Sequence, residues 1–346
     1  MNIEYSQLIA DLKKKIYHPV YFLMGEEPYF IDTISDLIEN TILNENEKEF
    51  NQTVLYGGDT DILRIIATAK RFPMMSPWQV VIVKEAQHVR DLTERGKEDP
   101  GKQKHPFLTY IENPQKLTIL VFCYKYKTLD KRTSLAKNIA KYAVVFESKK
   151  LYENKIPDWI VQYLKSKNYT IGPRACLMLT EYLGTDIGRI VNELNKLMII
   201  LPEKSEITVE HIQTHINISK DYNSFELQNA LGRKDILKAN RIVNYFSENT
   251  KDYPLIVSVS SLFGYFSKLL NYQLLNDKSK SNAASALGIN PFFIGDYEQA
   301  AKQYSLPKLK IIISELREYD LKSKGIGNGT AEGGELLKEL VFKILH

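Results

Sequence analysis

The chain has 346 residues, enough for two or three domains, and its 44% hydrophobic and 25% charged residues are typical of a globular protein. No apolar run is long enough to span a membrane, and the first residues lack the features of a secretory signal. Two cysteines, Cys123 and Cys176, cannot make a disulfide framework, so we expect reduced thiols in a cytoplasmic protein. The net charge of +4 arises wholly in residues 148–346 and is too small to indicate a dedicated DNA-binding domain.

Five short apolar runs in the first 147 residues predict strands that are covered on both faces, as in a parallel sheet. They lie at residues 20–24, 53–56, 80–83, 118–122 and 143–146. Apolar residues recur at helical spacing before and between them, at residues 5–16, 31–42 and 62–69. This alternation of strands and helices predicts an α/β domain over residues 1–147.

After residue 147 the strand pattern ends and helical patterns follow. Short amphipathic segments predict a small helical domain over residues 148–218; they lie near residues 156–168, 173–184, 186–200 and 208–217. Longer helical segments predict an all-α domain over residues 219–346; they lie at 235–247, 253–275, 291–304, 307–321 and 335–345. Polar or glycine-rich loops are expected at residues 276–282 and 325–334.

The turn at Gly25 follows a strand and precedes a helix, where a nucleotide-binding α/β domain would have its phosphate-binding loop. That loop needs several glycines, a lysine for the terminal phosphates and a Ser or Thr for Mg²⁺, and Gly25-Glu26-Glu27-Pro28 supplies no such set. The two carboxylates at the helix N-terminus would also repel a triphosphate. We interpret the segment as a nucleotide-binding type of fold that binds no nucleotide, although an ordinary strand-to-helix turn fits the residues equally well.

Other catalytic and metal-binding patterns are incomplete. His211 and His215 are four residues apart on a predicted helix, but the glutamate of a zincin and a third ligand are missing. The glycines of residues 325–329 follow a helix rather than a strand, so we predict a connector there and no dinucleotide site. We therefore expect no cofactor, no metal and no catalytic site in this chain.

The segment from Arg71 to Trp78 is a loop with two prolines and several large apolar side chains. Such a loop either folds these side chains into the core or offers them to a partner, and methionine suits adaptable binding surfaces. From the residues alone we favour core packing, with Trp78 as the inward anchor. Binding of a partner by Phe72, Met74 and Met75 remains the alternative.

The stretch from residue 125 to residue 141 contains six basic residues and one acidic residue. We expect this stretch to follow a strand and a helix to begin within it near Asp130. Lys131, Arg132 and Lys137 are candidates for contact with DNA phosphates or with an acidic neighbouring subunit. A solvated helix face is the other interpretation, and it is the usual one for such runs.

Several motifs, in their order and spacing, resemble the delta subunit family of bacterial DNA polymerase III. They are residues 21–30, Phe50-Asn51, Phe72-Pro73-Met74-Met75, residues 129–133 and residues 186–197. The C-terminal segments at 319–325 and 336–340 are similar to delta subunits of the Bacteroidetes type. The resemblance extends over essentially the whole chain.

This resemblance implies a non-catalytic subunit of a five-subunit clamp loader within the polymerase holoenzyme. It implies an AAA+-like α/β domain without a working phosphate loop, a small helical lid domain and a helical collar domain. The implied partners are the sliding clamp (beta), the gamma/tau and delta prime subunits, and primed DNA within the complex. It also implies that Met74 and Met75, flanked by Phe72, bind a pocket on the clamp and help to open the ring, which reverses the preference for core packing.

Two other classes of protein stay open as alternatives. One is a nucleic-acid-processing ATPase with a degenerate phosphate loop, and Gly25-Glu26-Glu27-Pro28 argues against it. The other is a stand-alone DNA-binding protein that uses the basic stretches, and the small net charge argues against that.

Overall fold

A computed structural model describes residues 2–92, 105–216, 222–327 and 331–346. The chain divides into two compact units, Met1–Leu151 and Tyr152–His346. No helix within the described ranges combines the length and apolar character that crossing a bilayer requires. The predicted boundary between residues 218 and 219 lies outside the described residues, as does the middle of the predicted loop at 325–334.

The first unit is built on five strands. They are β1 (Val20–Gly25), β2 (Gln52–Tyr56), β3 (Gln79–Lys84), β4 (Thr118–Lys125) and β5 (Val144–Ser148). The strands form one parallel sheet in the order β2-β3-β4-β1-β5, with Val20 beside Leu120 and Gln52 beside Val80. Each predicted strand is present, and β1, β3 and β4 are buried along nearly their whole length. Burial on both faces is the reason for their continuous apolar sequences.

Six helices of this unit lie in the described residues. They are α1 (Tyr5–Lys13), α2 (Pro28–Thr41), α3 (Glu45–Asn51), α4 (Ile62–Ala69), α5 (Pro106–Glu112) and α6 (Ser134–Tyr142). Alternate residues of β1 enter two different cores, since successive side chains of a strand point to opposite faces. Phe22 packs in the core with α4, α5 and α6, whereas Tyr21 and Leu23 pack in the core with α1 and α2.

The second unit begins with four helices and two short strands. They are α7 (Ile156–Ser166), β6 (Thr170–Ile171), α8 (Pro173–Leu183), α9 (Ile187–Ile200), β7 (Glu206–Ile207) and α10 (Val209–Ile216). The expectation that strands end after residue 147 is wrong, because β6 and β7 pair in parallel. Strands of two residues are too short to produce an alternating pattern, so the sequence could not reveal them.

Seven further helices complete this unit over the described residues. They are α11 (Ser224–Gly232), α12 (Ile236–Glu248), α13 (Leu255–Leu274), α14 (Lys280–Leu287), α15 (Ile294–Gln303), α16 (Leu306–Ser323) and α17 (Gly333–Leu345). They share one apolar core, in which the buried Tyr304 hydroxyl donates a hydrogen bond to the Leu231 carbonyl at 2.7 Å. The predicted loop at 276–282 is partly wrong, because α14 begins at Lys280. The predicted fold class, a parallel α/β domain followed by helices, is confirmed.

Candidate functional site

Three large apolar side chains in the loop that joins α4 to β3 are exposed. Phe72 is 73% exposed, Met74 is 63% exposed and Met75 is 103% exposed. The preference for packing these side chains in the core, drawn from the residues alone, is therefore wrong for all three. Exposed apolar side chains that lie close together are favoured by burial against a partner, so these three on a short loop form a surface that a partner could cover.

Trp78, at the end of the same loop, points the other way. Its ring meets the Tyr17 ring edge-on, with 5.7 Å between the centroids, and it packs against the core beneath α1 and α2. The inward anchor predicted for this loop is thus present. The loop separates its apolar side chains into one that holds it to the domain and three that face solvent.

The side chain of Asn51, the last residue of α3, is buried and binds the backbone of Met74 at two points. Its Oδ1 accepts a hydrogen bond from the Met74 N–H at 2.6 Å, and its Nδ2 donates to the Met74 carbonyl at 2.9 Å. Nδ2 also donates to the Glu47 carbonyl within α3, at 3.1 Å. The backbone under an exposed methionine is therefore tied to a helix 23 residues earlier in the chain.

Met75 adopts a left-handed backbone conformation, with φ of +53°. For a residue other than glycine this costs on the order of 1–2 kcal/mol, so the surrounding contacts must impose it. Asn51 holds the preceding residue. On the other side, the Ser76 hydroxyl donates to the Trp78 carbonyl at 3.2 Å. The exposed Met75 therefore has a hydrogen-bonded residue on each side.

Buried polar contacts fix the ends of the loop. The Gln79 side chain donates through Nε2 to the Thr68 carbonyl of α4 at 3.1 Å and accepts from the Thr118 hydroxyl of β4 at 3.2 Å. The Tyr110 hydroxyl donates to the Ala69 carbonyl at 3.4 Å. Since buried polar groups are costly to leave unpaired, these bonds define where α4 ends and where β3 begins.

At the turn after β1, backbone N–H groups already have acceptors within the protein. The Gly25 N–H donates to the Lys127 carbonyl at 3.2 Å, and the Glu26 N–H donates to the Ser148 carbonyl at 2.9 Å. The buried Glu27 side chain accepts from the Tyr29 N–H at 3.1 Å and caps α2. A phosphate-binding loop needs such N–H groups free and converging on the ligand, and this turn directs them to the protein itself.

Lys125, where β4 ends, supplies a positive charge at the same edge of the sheet. Its Nζ lies 2.7 Å from Asp32 Oδ1 of α2 and 3.3 Å from Glu85 Oε1 after β3. Burial lowers the pKa of Lys125, but the hydrogen bonds and negative charges of these carboxylates outweigh it, and the net pKa is raised above its ordinary value. The Lys125 ammonium group therefore pairs with both carboxylates and offsets one of their two negative charges.

The predicted basic contact residues are exposed, and two of the three are paired. Lys131 Nζ lies 2.8 Å from Glu147, and the Arg132 guanidinium forms a fork with Asp130 at 2.8–3.2 Å. Lys137 is exposed on α6. The helix predicted to begin near Asp130 begins at Ser134, because the Thr133 side chain accepts from the Ala136 N–H and caps it. Lys131 and Arg132 therefore lie in the preceding turn, and Lys137 on the helix.

Of the two histidines in the predicted pair, His211 has a structural role. His211 Nδ1 accepts a hydrogen bond from the Thr208 N–H at 3.2 Å, at the start of α10. Within the described residues, no three His, Cys, Asp or Glu side chains are grouped so that they could hold a metal ion. The two cysteines are buried and free, and burial raises the pKa of both thiols to about 12.

Sequence comparison finds one family at both ends of the chain. Residues 21–149 match the family described as DNA polymerase III, delta subunit, and residues 221–337 match its C-terminal domain. The chain is 27% identical to DNA polymerase III subunit delta of Bacillus subtilis over 314 residues, which cover 90% of each protein. It is 22% identical to the probable DNA polymerase III subunit delta of Aquifex aeolicus over 315 residues, covering 88% of this chain and 86% of that protein.

Comparison with solved structures agrees with this result. The Bacillus subtilis DNA clamp loader delta protein superposes with a TM-score of 0.53 and 25% sequence identity, covering 99% of both chains. The sheet order and this match define an AAA+-like α/β unit followed by helices, as predicted. The chain belongs to the delta subunit family of DNA polymerase III, whose members are clamp loader subunits.

In the sequence, Asn51 is recognisable only as part of a family motif, and its contact with Met74 is not predicted. Phe50, which precedes Asn51 and is exposed on α3, belongs to the same motif and has no predicted role. No local signal pairs residues that are 23 positions apart. A buried asparagine at the end of a polar helix becomes informative only when the fold shows what its amide binds.

Proposed function

We propose that this chain binds the ring-shaped sliding clamp of the replication machinery and favours its open form, so that the ring can be placed around primed DNA. Phe72, Met74 and Met75 enter an apolar pocket of the clamp. The observation that carries this proposal is the tip of the loop, where the Met74 and Met75 side chains are exposed and Asn51 binds the Met74 backbone. Membership of the clamp loader delta family supports the identity of the partner.

The energy for this work comes from burial of the apolar side chains. Covering Met74 and Met75 contributes about 3–6 kcal/mol before the costs of association. A ligand shifts a conformational equilibrium by the difference in its affinity for the two forms. If Phe72, Met74 and Met75, here called the plug, fit the open clamp better than the closed clamp, their binding opens the ring without any covalent step on this chain.

We assign the chemical step, ATP hydrolysis, to neighbouring subunits. The proposed partners are the gamma/tau and delta prime subunits, which form a heteropentamer with this chain, and primed DNA within that complex. At the turn after β1, the N–H groups of Gly25 and Glu26 already donate to protein carbonyls. This supports the proposal that the chain uses no nucleotide of its own, and it argues against a degenerate ATPase. Among the basic candidates, Lys137 is the best placed to reach DNA or a neighbour, since Lys131 and Arg132 already have carboxylate partners.

We propose three functional domains for this role. Residues 1–147 carry the clamp-binding loop, residues 148–218 form a small helical lid, and residues 219–346 form the collar that holds the subunits together. The apolar core common to α11–α17 supports the last of these as one packed body.

Mixing the chain with its cognate sliding clamp and separating the products by size-exclusion chromatography tests this proposal. We expect one early-eluting peak that contains both proteins. Independent elution of the two proteins at micromolar concentrations would contradict the proposal. Strong, salt-dependent binding of the isolated chain to DNA would instead favour a stand-alone DNA-binding protein.

A further inference from the structure

The side-chain amide of Asn51 forms hydrogen bonds to the loop and to its own helix. Its oxygen and one N–H bind the two backbone groups of Met74, and the other N–H binds Glu47. The side chain is 2% exposed, so it cannot itself contribute area to a partner. Whatever it does for binding acts through Met74.

The exposed tip needs such a tether because its own side chains supply none. Met74 and Met75 point into solvent, so intramolecular packing does not select one conformation of the loop. The left-handed backbone at Met75 is also unfavourable without its fixed neighbours. A loop released from Asn51 would sample other conformations, and a partner would have to order it on binding.

We propose that Asn51 is a positioning residue that preorganises the plug for the clamp. This inference rests on the proposed function, since it names how the same site achieves its affinity. Preorganisation increases affinity by removing the cost of ordering from the binding step. Asn51 thus affects clamp binding without touching the clamp.

The test compares Asn51→Ala with Asn44→Ala in the full-length chain. Asn44 caps the other end of α3, where its side chain accepts from the Glu47 N–H at 3.0 Å, and it has no hydrogen bond to the loop. Both variants remove an asparagine that stabilises the same helix. Only Asn51→Ala cuts the bonds to Met74.

Calorimetric titration with the sliding clamp is expected to show that Asn51→Ala weakens binding about tenfold, whereas Asn44→Ala stays within about twofold of the wild type. Equal losses in the two variants would overturn the proposal, because they would trace the effect to helix stability. Wild-type affinity in Asn51→Ala would overturn it as well.

Hydrogen exchange at the Met74 amide gives a readout that does not need the clamp. The amide is expected to be protected in the wild type and in Asn44→Ala and to exchange faster in Asn51→Ala, because its acceptor is gone. An unchanged exchange rate in Asn51→Ala would overturn the tether. If the wild-type chain failed to bind the clamp, the proposed function would fail, and the exchange rates would still decide whether Asn51 holds the loop.

Discussion

Gly25 approaches Ser148 so closely that a Cβ atom on Gly25 would lie 1.9 Å from the Ser148 carbonyl oxygen. Gly25 also has a φ of +140°, a conformation that other residues rarely adopt. The end of β1 and the end of β5 therefore meet across a glycine at the point where a phosphate loop would begin. The close approach of the two strands therefore accounts for glycine at this position without a bound phosphate.

Replacing this glycine should be strongly destabilising. We expect Gly25→Ala to lower the free energy of unfolding by about 3 kcal/mol, from the steric clash and the strained φ together. Urea unfolding followed by tryptophan fluorescence measures the change. Gly58→Ala is the matched control, because a Cβ at Gly58 meets no atom within 4 Å. Equal stabilities of the two variants would refute this account of the turn.

The same turn predicts the outcome of a nucleotide titration. The N–H groups of Gly25 and Glu26 already donate to protein carbonyls, so a bound phosphate would have to displace those bonds. We expect no saturable heat when ATP and Mg²⁺ are titrated into the isolated chain at concentrations up to the millimolar range. A saturable curve with one site per chain would show that the turn can open for a nucleotide.

Alkaline pH should destabilise the fold, because several buried acids keep their protons in the folded state. Burial raises the pKa of Cys123 from 9.0 to about 12, and it raises the pKa of Tyr21 and of Tyr110 from 10.0 to about 12. The unfolded chain releases these protons at lower pH than the folded chain. Their contribution to stability is therefore complete below pH 9 and is lost progressively between about pH 9 and pH 12.

Thermal melts across this range measure the effect. The melting temperature is expected to be nearly level between pH 7 and 8.5 and to fall steadily above pH 9. Part of the rise in tyrosine absorbance near 295 nm should coincide with unfolding, since burial keeps the Tyr21 and Tyr110 hydroxyl groups protonated in the folded chain. A level melting temperature up to pH 11 would contradict the assignment of these groups as buried and protonated.

The sheet could be predicted from the sequence because its strands are buried on both faces. β3 and β4 read as short continuous apolar runs rich in β-branched residues, which favours strands over buried helix segments. The helix α3 is not predicted from apolar periodicity, because its seven residues, ENEKEFN, contain one large apolar side chain and show no apolar stripe. Its capping box, from Asn44 to Glu47, is the signal that could have revealed it.

The candidate site was predictable in its residues but not in its geometry. The composition of the loop left two outcomes open, burial or exposure of Phe72, Met74 and Met75, and only the family resemblance favoured exposure. The structure places Trp78 inward and the methionines outward, and it ties the Met74 backbone to Asn51. Long-range contacts of this kind leave no periodicity in the sequence.

The most direct measurement of the central claim is the affinity of the sliding clamp for the double variant Met74→Asp/Met75→Asp. Both side chains are exposed, so the substitutions should leave the melting temperature within about 2 °C of the wild type. We expect the clamp affinity to fall at least 100-fold in calorimetric titration, because apolar burial of about 3 kcal/mol or more is replaced by the cost of desolvating two carboxylates. A folded double variant that still binds the clamp with the wild-type affinity would contradict the account.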